Sequence, residues 1–466
     1  MLHRLTLCEM AARVRSGEAS PVQLVEVHLA QIERANPRLN AFVLLLAEQA
    51  RQRAADIEQA LRRGEPPGPL AGVPVTVKDS FDVEGLPTLC GSRLRLGHRA
   101  ARHAFAVARL EAAGAVLLGK TNTPELLMNY ETDNHINGRT NNPWNPDCTP
   151  GGSSGGEAAA IAAFCSAGGL GSDGGGSIRL PAHFCGIAGL KPTPGRVPAT
   201  GHFPLIGHPG GLLGVAGPMA RNAPDLRLLF EVVAGYDPAD PFSAPVPLGE
   251  ALLEGLRIGM AEQFYQVPVE PPVAEAVRGA AAALSSLGFA VEPFLPRGLE
   301  RAPNVWNFLF SELPAPVIRE MFAGRESEAH WTGLELIDRL KDRPEPSGKD
   351  VLEQLAARDR MRAALLEQMD RYPVLLWPAA GVVAFRHRQR RWETPGKSIG
   401  YFEAMMPLTP ANLLGLPALV LPWMLTREGL PVGIQLIGRP YEEVRLLELA
   451  VRLEEARGTF PAPPQL

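Results

Sequence analysis

The stretch from Thr149 to Thr193 constrains the fold of this chain most, because glycine, serine and alanine dominate it: TPGGSSGGEAAAIAAFCSAGGLGSDGGGSIRLPAHFCGIAGLKPT. Ten of the 47 glycines lie between Gly151 and Gly176. Such a composition is typical of a flexible linker. A linker, however, does not contain an apolar helix such as EAAAIAAF or an apolar run such as FCGIAGL. We therefore expect a folded segment in which many backbone N–H groups are left uncovered by side chains.

The overall composition is that of a globular protein with a core. The chain has 466 residues, 45% of them apolar and 21% charged, and its formal net charge is −4. This balance gives no electrostatic reason to expect nucleic acid or an anionic membrane as a partner. The five cysteines form no C-x-x-C pair and no ligand cluster with histidine. We therefore expect no structural metal, and no cofactor of any kind.

The sequence gives no sign of a membrane span. Its first residues, MLHRLTLCEM, lack the apolar region of a secretory signal peptide. The uncharged stretch from Met405 to Thr426 is long enough to cross a bilayer, but four prolines would interrupt any spanning helix. We expect buried strand and loop there, and a cytoplasmic protein.

Helical and strand patterns alternate along the chain, as in α/β proteins. Ser20 and Pro21 predict the start of a helix, and Asn36-Pro37 predicts its end. A second helix is predicted from about 44 to 63. The alternation in VPVTVK, residues 73–78, predicts a strand buried on one face, with Lys78 on the other.

Two short motifs suggest other activities, and their context argues against both. GAVLLGKT, from Gly114 to Thr121, matches the phosphate-binding P-loop, but its four central residues favour a strand rather than a flexible loop. A nucleotide-binding protein therefore remains only a remote alternative. GGSSG, from Gly151 to Gly155, matches the nucleophile elbow of α/β-hydrolases, but NNPWNPDCTP before it is unsuited to the strand that an elbow requires.

The segment GSDGGGS favours an anion-binding backbone loop. Its successive glycines leave several N–H groups unobstructed, and Ser177 at its end would place a nucleophile beside those donors. Together with several other motifs, this segment resembles the amidase signature family of serine hydrolases. The shared motifs are GVPVTVKDSFDVEG, GGSSGG, GSDGGGSIRLP, CGIAGLKPT and GLPVGIQLIGR, and the resemblance covers nearly the whole chain.

The resemblance implies a fold and a catalytic triad. The expected fold is a single α/β domain over 1–466, with a mixed central sheet flanked by helices on both faces. Within it we expect N-terminal helices at 1–63, the motif-bearing core at 64–290, a variable, mainly helical substrate-side region at 291–400, and C-terminal strands and a helix at 401–466. The triad carries over to Ser177 as nucleophile, Ser153 (after a cis peptide bond) as proton relay, and Lys78 as base. A lysine acts as a base only when neutral, so Lys78 is expected to be buried.

The resemblance also implies the groups that surround the triad. The oxyanion hole is expected to consist of backbone N–H groups at Gly174, Gly175, Gly176 and Ser177. Asp173 and Arg179 either pair to hold this loop or form an ordinary solvated ion pair. Ser154 either bonds within the triad or caps a helix starting near Glu157. Where the family usually has Thr or Ile, this chain has Gly174, which predicts extra room beside the oxyanion hole.

The substrate is less well defined by sequence. An apolar stripe at helical spacing, which includes Trp306, Phe310 and Met321, is either core or the lining of a pocket for an aryl or acyl group. Met128 is a further candidate for that lining. We expect a small-molecule amide substrate, with apolar or aryl amides preferred. The sequence leaves anilides, esters and carbamates (urethanes) open as further substrates, since each has a carbonyl with a heteroatom leaving group.

The alternative is the A subunit of a glutamine-dependent tRNA amidotransferase, which needs a partner chain. The segment 199–221 lacks the S-L-D-Q stretch typical of that protein. The sequence therefore favours a free-standing hydrolase without nucleic acid, and leaves a homodimer open.

Overall fold

A large mixed β-sheet organises the molecule. The computed structural model describes residues 2–204 and 213–464. Eleven strands form one sheet in the order β1-β3-β2-β4-β6-β5-β12-β13-β9-β7-β8, and β10 and β11 form a separate hairpin. The strands are β1 Phe42–Leu45, β2 Pro74–Lys78, β3 Val116–Thr121, β4 Gly168–Asp173, β5 Ala188–Lys191, β6 Val215–Ala220, β7 Arg257–Met260, β8 Ala290–Pro293, β9 Val374–Pro378, β10 Arg391–Thr394, β11 Lys397–Gly400, β12 Ala418–Leu425 and β13 Pro431–Gly438.

Helices cover this sheet. They are α1 Leu7–Ser16, α2 Pro21–Leu39, α3 Ala47–Arg62, α4 Phe105–Ala112, α5 Gly155–Ala162, α6 Arg179–Cys185, α7 Ala223–Val233, α8 Pro271–Ser286, α9 Ala302–Asn307, α10 Ala315–Phe322, α11 Trp331–Leu340, α12 Gly348–Gln368, α13 Tyr401–Met405, α14 Thr409–Leu413 and α15 Glu443–Arg457. A π-helical turn, Phe308–Glu312, follows α9. The expected α/β fold with a mixed, helix-flanked sheet is confirmed.

The two faces of the sheet carry different helices, as strand β4 shows. A Cβ built on Gly168 would meet Leu229 of α7, whereas one on Gly169 would meet Glu157 of α5. Because neighbouring residues of a strand face opposite sides, α7 and α5 lie on opposite faces. Glycine in β4 therefore lets both layers approach the sheet closely.

Strand β2 lies between β3 and β4 and runs parallel to both. The sequence predicts that one face of this strand is exposed, and this is wrong, because all five of its residues are buried. Helices on both faces leave no solvent-facing side in this part of the sheet. Lys78, the last residue of β2, is therefore buried as well.

The first long helix starts as predicted but ends later. Ser20 Oγ accepts hydrogen bonds from the N–H groups of Val22 and Gln23, with Pro21 in the first helical position. The predicted end at Asn36-Pro37 is wrong: the helix runs on to Leu39 and ends at Asn40, which has φ of +52°. A proline in the last turn removes one hydrogen bond, and two further residues stay helical.

Two sequence motifs have structural rather than functional roles here. Val116–Thr121 of the P-loop-like motif is buried strand β3, and Lys120 Nζ lies 2.8 Å from Asp79 Oδ1 with both side chains buried. Lys120 is thus unavailable to a phosphate. In the stretch from Met405 to Thr426, α14 and strand β12 replace a single long helix. Among the described residues, we find no helix with the length and hydropathy to cross a membrane.

Candidate active site

Lys78 meets hydroxyl groups at the end of strand β2. Its Nζ lies 2.6 Å from Ser153 Oγ and 2.9 Å from Ser172 Oγ. The side chain is fully buried. Burial lowers the pKa of Lys78 from its usual 10.5 to about 7, because an ammonium loses its hydration there. Near neutral pH a substantial fraction of Lys78 is therefore uncharged and able to accept a proton.

Ser153 and Ser154 lie in the turn before helix α5. The peptide bond between Gly152 and Ser153 is cis. Ser154 makes no side-chain capping bond, and α5 begins at Gly155 rather than near Glu157. Instead, Ser154 Oγ donates to the carbonyl of Ser172 at 3.2 Å and accepts from the N–H of Ser172 at 3.3 Å. Ser154 thus joins this turn to the strand that carries the second hydroxyl beside Lys78.

Ser177 lies in the turn between strand β4 and helix α6. Its carbonyl accepts a hydrogen bond from the N–H of Ser154 at 3.1 Å. Ser177 is 8% exposed, and it lines one cavity together with Ser153. The structure therefore brings Lys78 and Ser153 into direct contact and places Ser177 beside Ser153 at the cavity wall.

The loop before Ser177 presents its N–H groups unequally. The N–H of Gly176 donates to Asp173 Oδ1 at 2.7 Å and is therefore occupied. In the described part of the chain, the N–H groups of Gly174, Gly175 and Ser177 have no acceptor. Of the four sequence candidates for an oxyanion hole, these three are available, and Gly176 serves the loop itself.

Asp173 and Arg179 form a buried ion pair, so the alternative of a solvated pair is wrong. Both side chains are inaccessible, and Arg179 Nη2 donates to Asp173 Oδ1 at 2.9 Å. Arg179 Nη1 also donates to Gln435 Oε1 at 2.6 Å, and Asn412 Nδ2 donates to Asp173 Oδ1 at 3.0 Å. Burial alone would raise the pKa of Asp173, but the Arg179 guanidinium outweighs it and holds that pKa well below its usual range.

The cavity beside Ser177 has two lobes. The apolar lobe contains Ser153 and Ser177 and is lined mainly by carbon, from Leu126, Met128, Phe203, Phe310, Ile318 and Met321. The second lobe also reaches Ser177 and is lined largely by aromatic and apolar side chains, among them Trp306. We call it the charged lobe because Glu335 and Arg339 lie in its wall, next to Asn129. All four sequence candidates for a pocket lining, Met128, Trp306, Phe310 and Met321, therefore lie beside the site.

The predicted free space at Gly174 is occupied. A Cβ on Gly174 would lie 2.6 Å from Phe310 Cε2, which is too close for a carbon–carbon contact. The ring of Phe310 therefore takes the volume that a larger residue would need. Glycine at position 174 therefore allows an aromatic side chain to pack against the loop, and it does not enlarge the site.

Sequence reasoning missed two parts of this site. Ser172 is the second hydroxyl on Lys78, and only the pairing of β4 with β2 brings it there. Glu335 and Arg339 lie four residues apart, on one face of helix α11. From this spacing the sequence could predict that the two side chains share one face of a helix. It could not predict that this face points into the cavity.

Comparisons with known proteins identify the family of this chain. The model of the amidase family matches residues 23–447. The glutamyl-tRNA(Gln) amidotransferase A subunit of Chloroflexus aurantiacus is 36% identical, over 96% of each chain. That of Moorella thermoacetica is 35% identical, over 100% of this chain and 99% of its own. A solved structure of 6-aminohexanoate cyclic dimer hydrolase with substrate superposes with a TM-score of 0.86 at 30% identity, covering 100% of this chain and 99% of its own. The chain belongs to the amidase family and is an enzyme of carbon–nitrogen bond chemistry.

These relatives correct two expectations. The sequence favours a free-standing hydrolase of apolar or aryl amides, without nucleic acid and open to forming a homodimer. That interpretation is wrong, because the full-length curated relatives are named as one component of a glutamyl-tRNA(Gln) amidotransferase. The missing S-L-D-Q stretch is too short to outweigh similarity over nearly the whole chain. Part of its segment, 205–212, lies outside the described residues.

Proposed function

We propose that this chain is the A subunit of a glutamine-dependent tRNA amidotransferase, in which it releases ammonia from glutamine. The main support for the hydrolytic step is the 2.6 Å contact between Lys78 Nζ and Ser153 Oγ. Ser153 lines the same cavity as Ser177. The full-length similarity to the A subunits of two bacteria supports the assignment to that complex. tRNA charging takes place in the cytoplasm, which is also the location expected from sequence.

In this proposal, Ser177 attacks the side-chain carboxamide of glutamine. Ser153 takes the proton of Ser177 and passes its own to neutral Lys78. The N–H groups of Gly174, Gly175 and Ser177 stabilise the oxyanion that forms on the carboxamide oxygen. Ser153 then returns a proton to the nitrogen, and ammonia leaves. Water hydrolyses the resulting γ-glutamyl ester to glutamate, which restores Ser177.

The charged lobe supports glutamine as the donor. A free amino acid carries a carboxylate and an ammonium next to each other, and this lobe offers a guanidinium at Arg339 and a carboxylate at Glu335. Arg339 Nη2 donates to Asn307 Oδ1 at 3.3 Å, a long bond that leaves most of its donors for a ligand. Glu335 is more fully engaged: Arg390 donates to both of its oxygens, at 2.5 Å and 2.9 Å, and Asn129 Nδ2 donates to Oε2 at 2.9 Å. Arg339 is therefore the main anchor that this lobe offers to the substrate.

The first test compares Arg339→Ala with Arg343→Ala in the purified complex. Arg343 lies four residues further on, just beyond the end of α11. Its side chain is 59% exposed and pairs with Glu312 at 2.6 Å, so it serves as the control arginine. Losing one charge-assisted contact to the carboxylate should raise the KM for glutamine about 10- to 100-fold in Arg339→Ala, with kcat largely kept. Arg343→Ala should leave both unchanged. Ammonia release measures the rate.

Two outcomes would contradict the proposal. One is a complex that releases no ammonia from glutamine and forms no Gln-tRNA(Gln) from Glu-tRNA(Gln). The other is an enzyme that hydrolyses butyramide as fast as glutamine, since butyramide has the same carboxamide without the two charges. In that case Arg339 and Glu335 do not select the substrate.

A further inference from the structure

Trp306 reaches the catalytic loop from a distant part of the chain. Its indole Nε1–H donates a hydrogen bond to the carbonyl of Gly174 at 2.8 Å. The indole is only 4% exposed and stacks on Phe310, with ring centroids 4.7 Å apart and planes at 16°. Phe402 stacks on it as well, at 6.3 Å and 21°. Water has little access to this hydrogen bond, and the stacked rings restrict the orientation of the donor.

The contact requires that the neighbouring residue, Gly175, has no side chain. A Cβ on Gly175 would lie 2.2 Å from Trp306 Cζ2, so any side chain there would displace the indole. The indole ring thus lies directly against Gly175. Trp306 and the glycine pair at 174 and 175 form one packed unit.

Because a peptide unit is planar, the hydrogen bond to Trp306 also fixes the orientation of an N–H group at the cavity. The peptide bond between Gly174 and Gly175 is trans, so the carbonyl of Gly174 and the N–H of Gly175 point in opposite directions. Holding the carbonyl on Trp306 therefore fixes where the N–H of Gly175 points. That N–H has no acceptor among the described residues, and Gly175 lines the charged lobe together with Ser177.

The next peptide unit provides an internal comparison. The hydroxyl of Tyr130 donates to the carbonyl of Gly175, also at 2.8 Å. The N–H of that same peptide, at Gly176, is already donated to Asp173 Oδ1. Tyr130 and Trp306 bind the same loop through hydrogen bonds of equal length. Of these two peptide units, the one bound by Trp306 has an N–H without an acceptor in the described chain, and the one bound by Tyr130 does not.

We propose that Trp306 is a positioning residue for the oxyanion hole, acting through the carbonyl of Gly174 on the N–H of Gly175. The inference rests on the proposed role of this loop beside Ser177. Removing the indole donor leaves the loop in place but lets this one peptide unit rotate. The transition state loses stabilisation, while glutamine in its ground state is bound as before.

The test replaces Trp306 with benzothienylalanine, in which sulfur takes the place of the indole N–H and the ring shape is retained. Trp306→Phe provides a second variant made from natural residues. For the benzothienylalanine variant, which keeps the ring in the wall of the charged lobe, we expect kcat for glutamine to fall about 10-fold or more with KM little changed, because a full oxyanion donor contributes about 10²- to 10³-fold. Tyr130→Phe should lose less than about 3-fold. Equal losses in the two positions, or a loss at 306 that appears only in KM, would overturn the proposal.

A second readout separates this inference from the proposed function. The rate of fluorophosphonate labelling at Ser177 depends on the oxyanion hole and not on which amide is the substrate. If the parent labels at Ser177 but does not hydrolyse glutamine, the proposed function fails and the inference is still tested. The inference then predicts slower labelling in the Trp306 variants than in Tyr130→Phe, at unchanged melting temperature. Labelling at the parent rate in a folded Trp306 variant would contradict it.

Discussion

The residues around Lys78 set its proton affinity mainly by burial. Within the described residues, Lys78 Nζ is at hydrogen-bond distance from two hydroxyl groups, those of Ser153 and Ser172, and neither carries a charge that would stabilise an ammonium. Burial therefore keeps the pKa of Lys78 at about 7. A part of Lys78 is therefore uncharged and able to accept a proton at neutral pH, whereas a lysine in water is almost fully protonated there.

This residue gives a pH prediction. Below about pH 7 Lys78 is protonated and cannot accept a proton from Ser153, so fluorophosphonate labelling of Ser177 should slow as pH falls. The rate should rise about tenfold per pH unit up to that point and level off above it. Intact mass spectrometry measures the adduct. A rate that is flat between about pH 6 and 9 would contradict a role for Lys78 as base, and Lys78→Met should remove the pH-dependent part.

At the scale of elements, the contact between the loop after β4 and the turn after α9 determines what position 174 can be. A Cβ on Gly174 would collide with the ring of Phe310, which is itself stacked on Trp306. We expect Gly174→Ala to destabilise the fold by about 1–3 kcal/mol, as overpacking does in cores. Phe310→Leu should relieve the collision, so that the double variant is more stable than the sum of the single effects predicts.

Urea unfolding of the two single variants and the double variant measures this coupling. Residues in contact typically couple by about 0.5–3 kcal/mol, and we expect a value in that range here. Strictly additive effects would show that the ring moves aside freely. The same set also shows whether a side chain at position 174 requires a smaller residue at position 310.

At the scale of the whole molecule, buried histidines predict acid sensitivity. Burial lowers the pKa of His28 in α2 to about 3 and that of His183 in α6 to about 4. Below about pH 6.5 the unfolded chain binds protons at these rings while the folded chain does not, so stability is lost as pH falls toward the folded pKa values. Each ring should contribute up to about 1.4 kcal/mol per pH unit.

Urea unfolding at about pH 7 and about pH 5 tests this, with His28→Leu as the informative variant. Nδ1 of His28 contacts only the carbonyl of Leu24 in its own helix, and its Nε2 is buried without a partner in the described chain. Leucine fills a similar volume without titrating. The variant should therefore lose less stability on acidification than the parent, and an identical loss would contradict the argument.

Features carried by contiguous motifs could be predicted from the sequence, and features that depend on contacts between distant segments could not. The motifs predicted the family and the α/β fold correctly, and they indicated Lys78, Ser153 and Ser177 as a set. Ser172, the ring of Phe310 against Gly174, and the turn of α11 that places Arg339 in the cavity were not predictable. Each depends on strand pairing or on packing between segments far apart in sequence. The choice of partner was predicted wrongly, because the absence of one short stretch says little about what a whole surface binds.

The stack of Phe310, Trp306 and Phe402 has a consequence for exchanging parts between members of this family. These rings belong to the segments that shape the cavity. Two of them, Phe310 and Trp306, also lie directly against Gly174 and Gly175, and Phe402 stacks on Trp306. Grafting residues 300–402 from a relative to obtain a new specificity would therefore also change the packing against the turn that carries Ser177. A chimera that keeps its activity must take this segment and the glycine pair from the same parent.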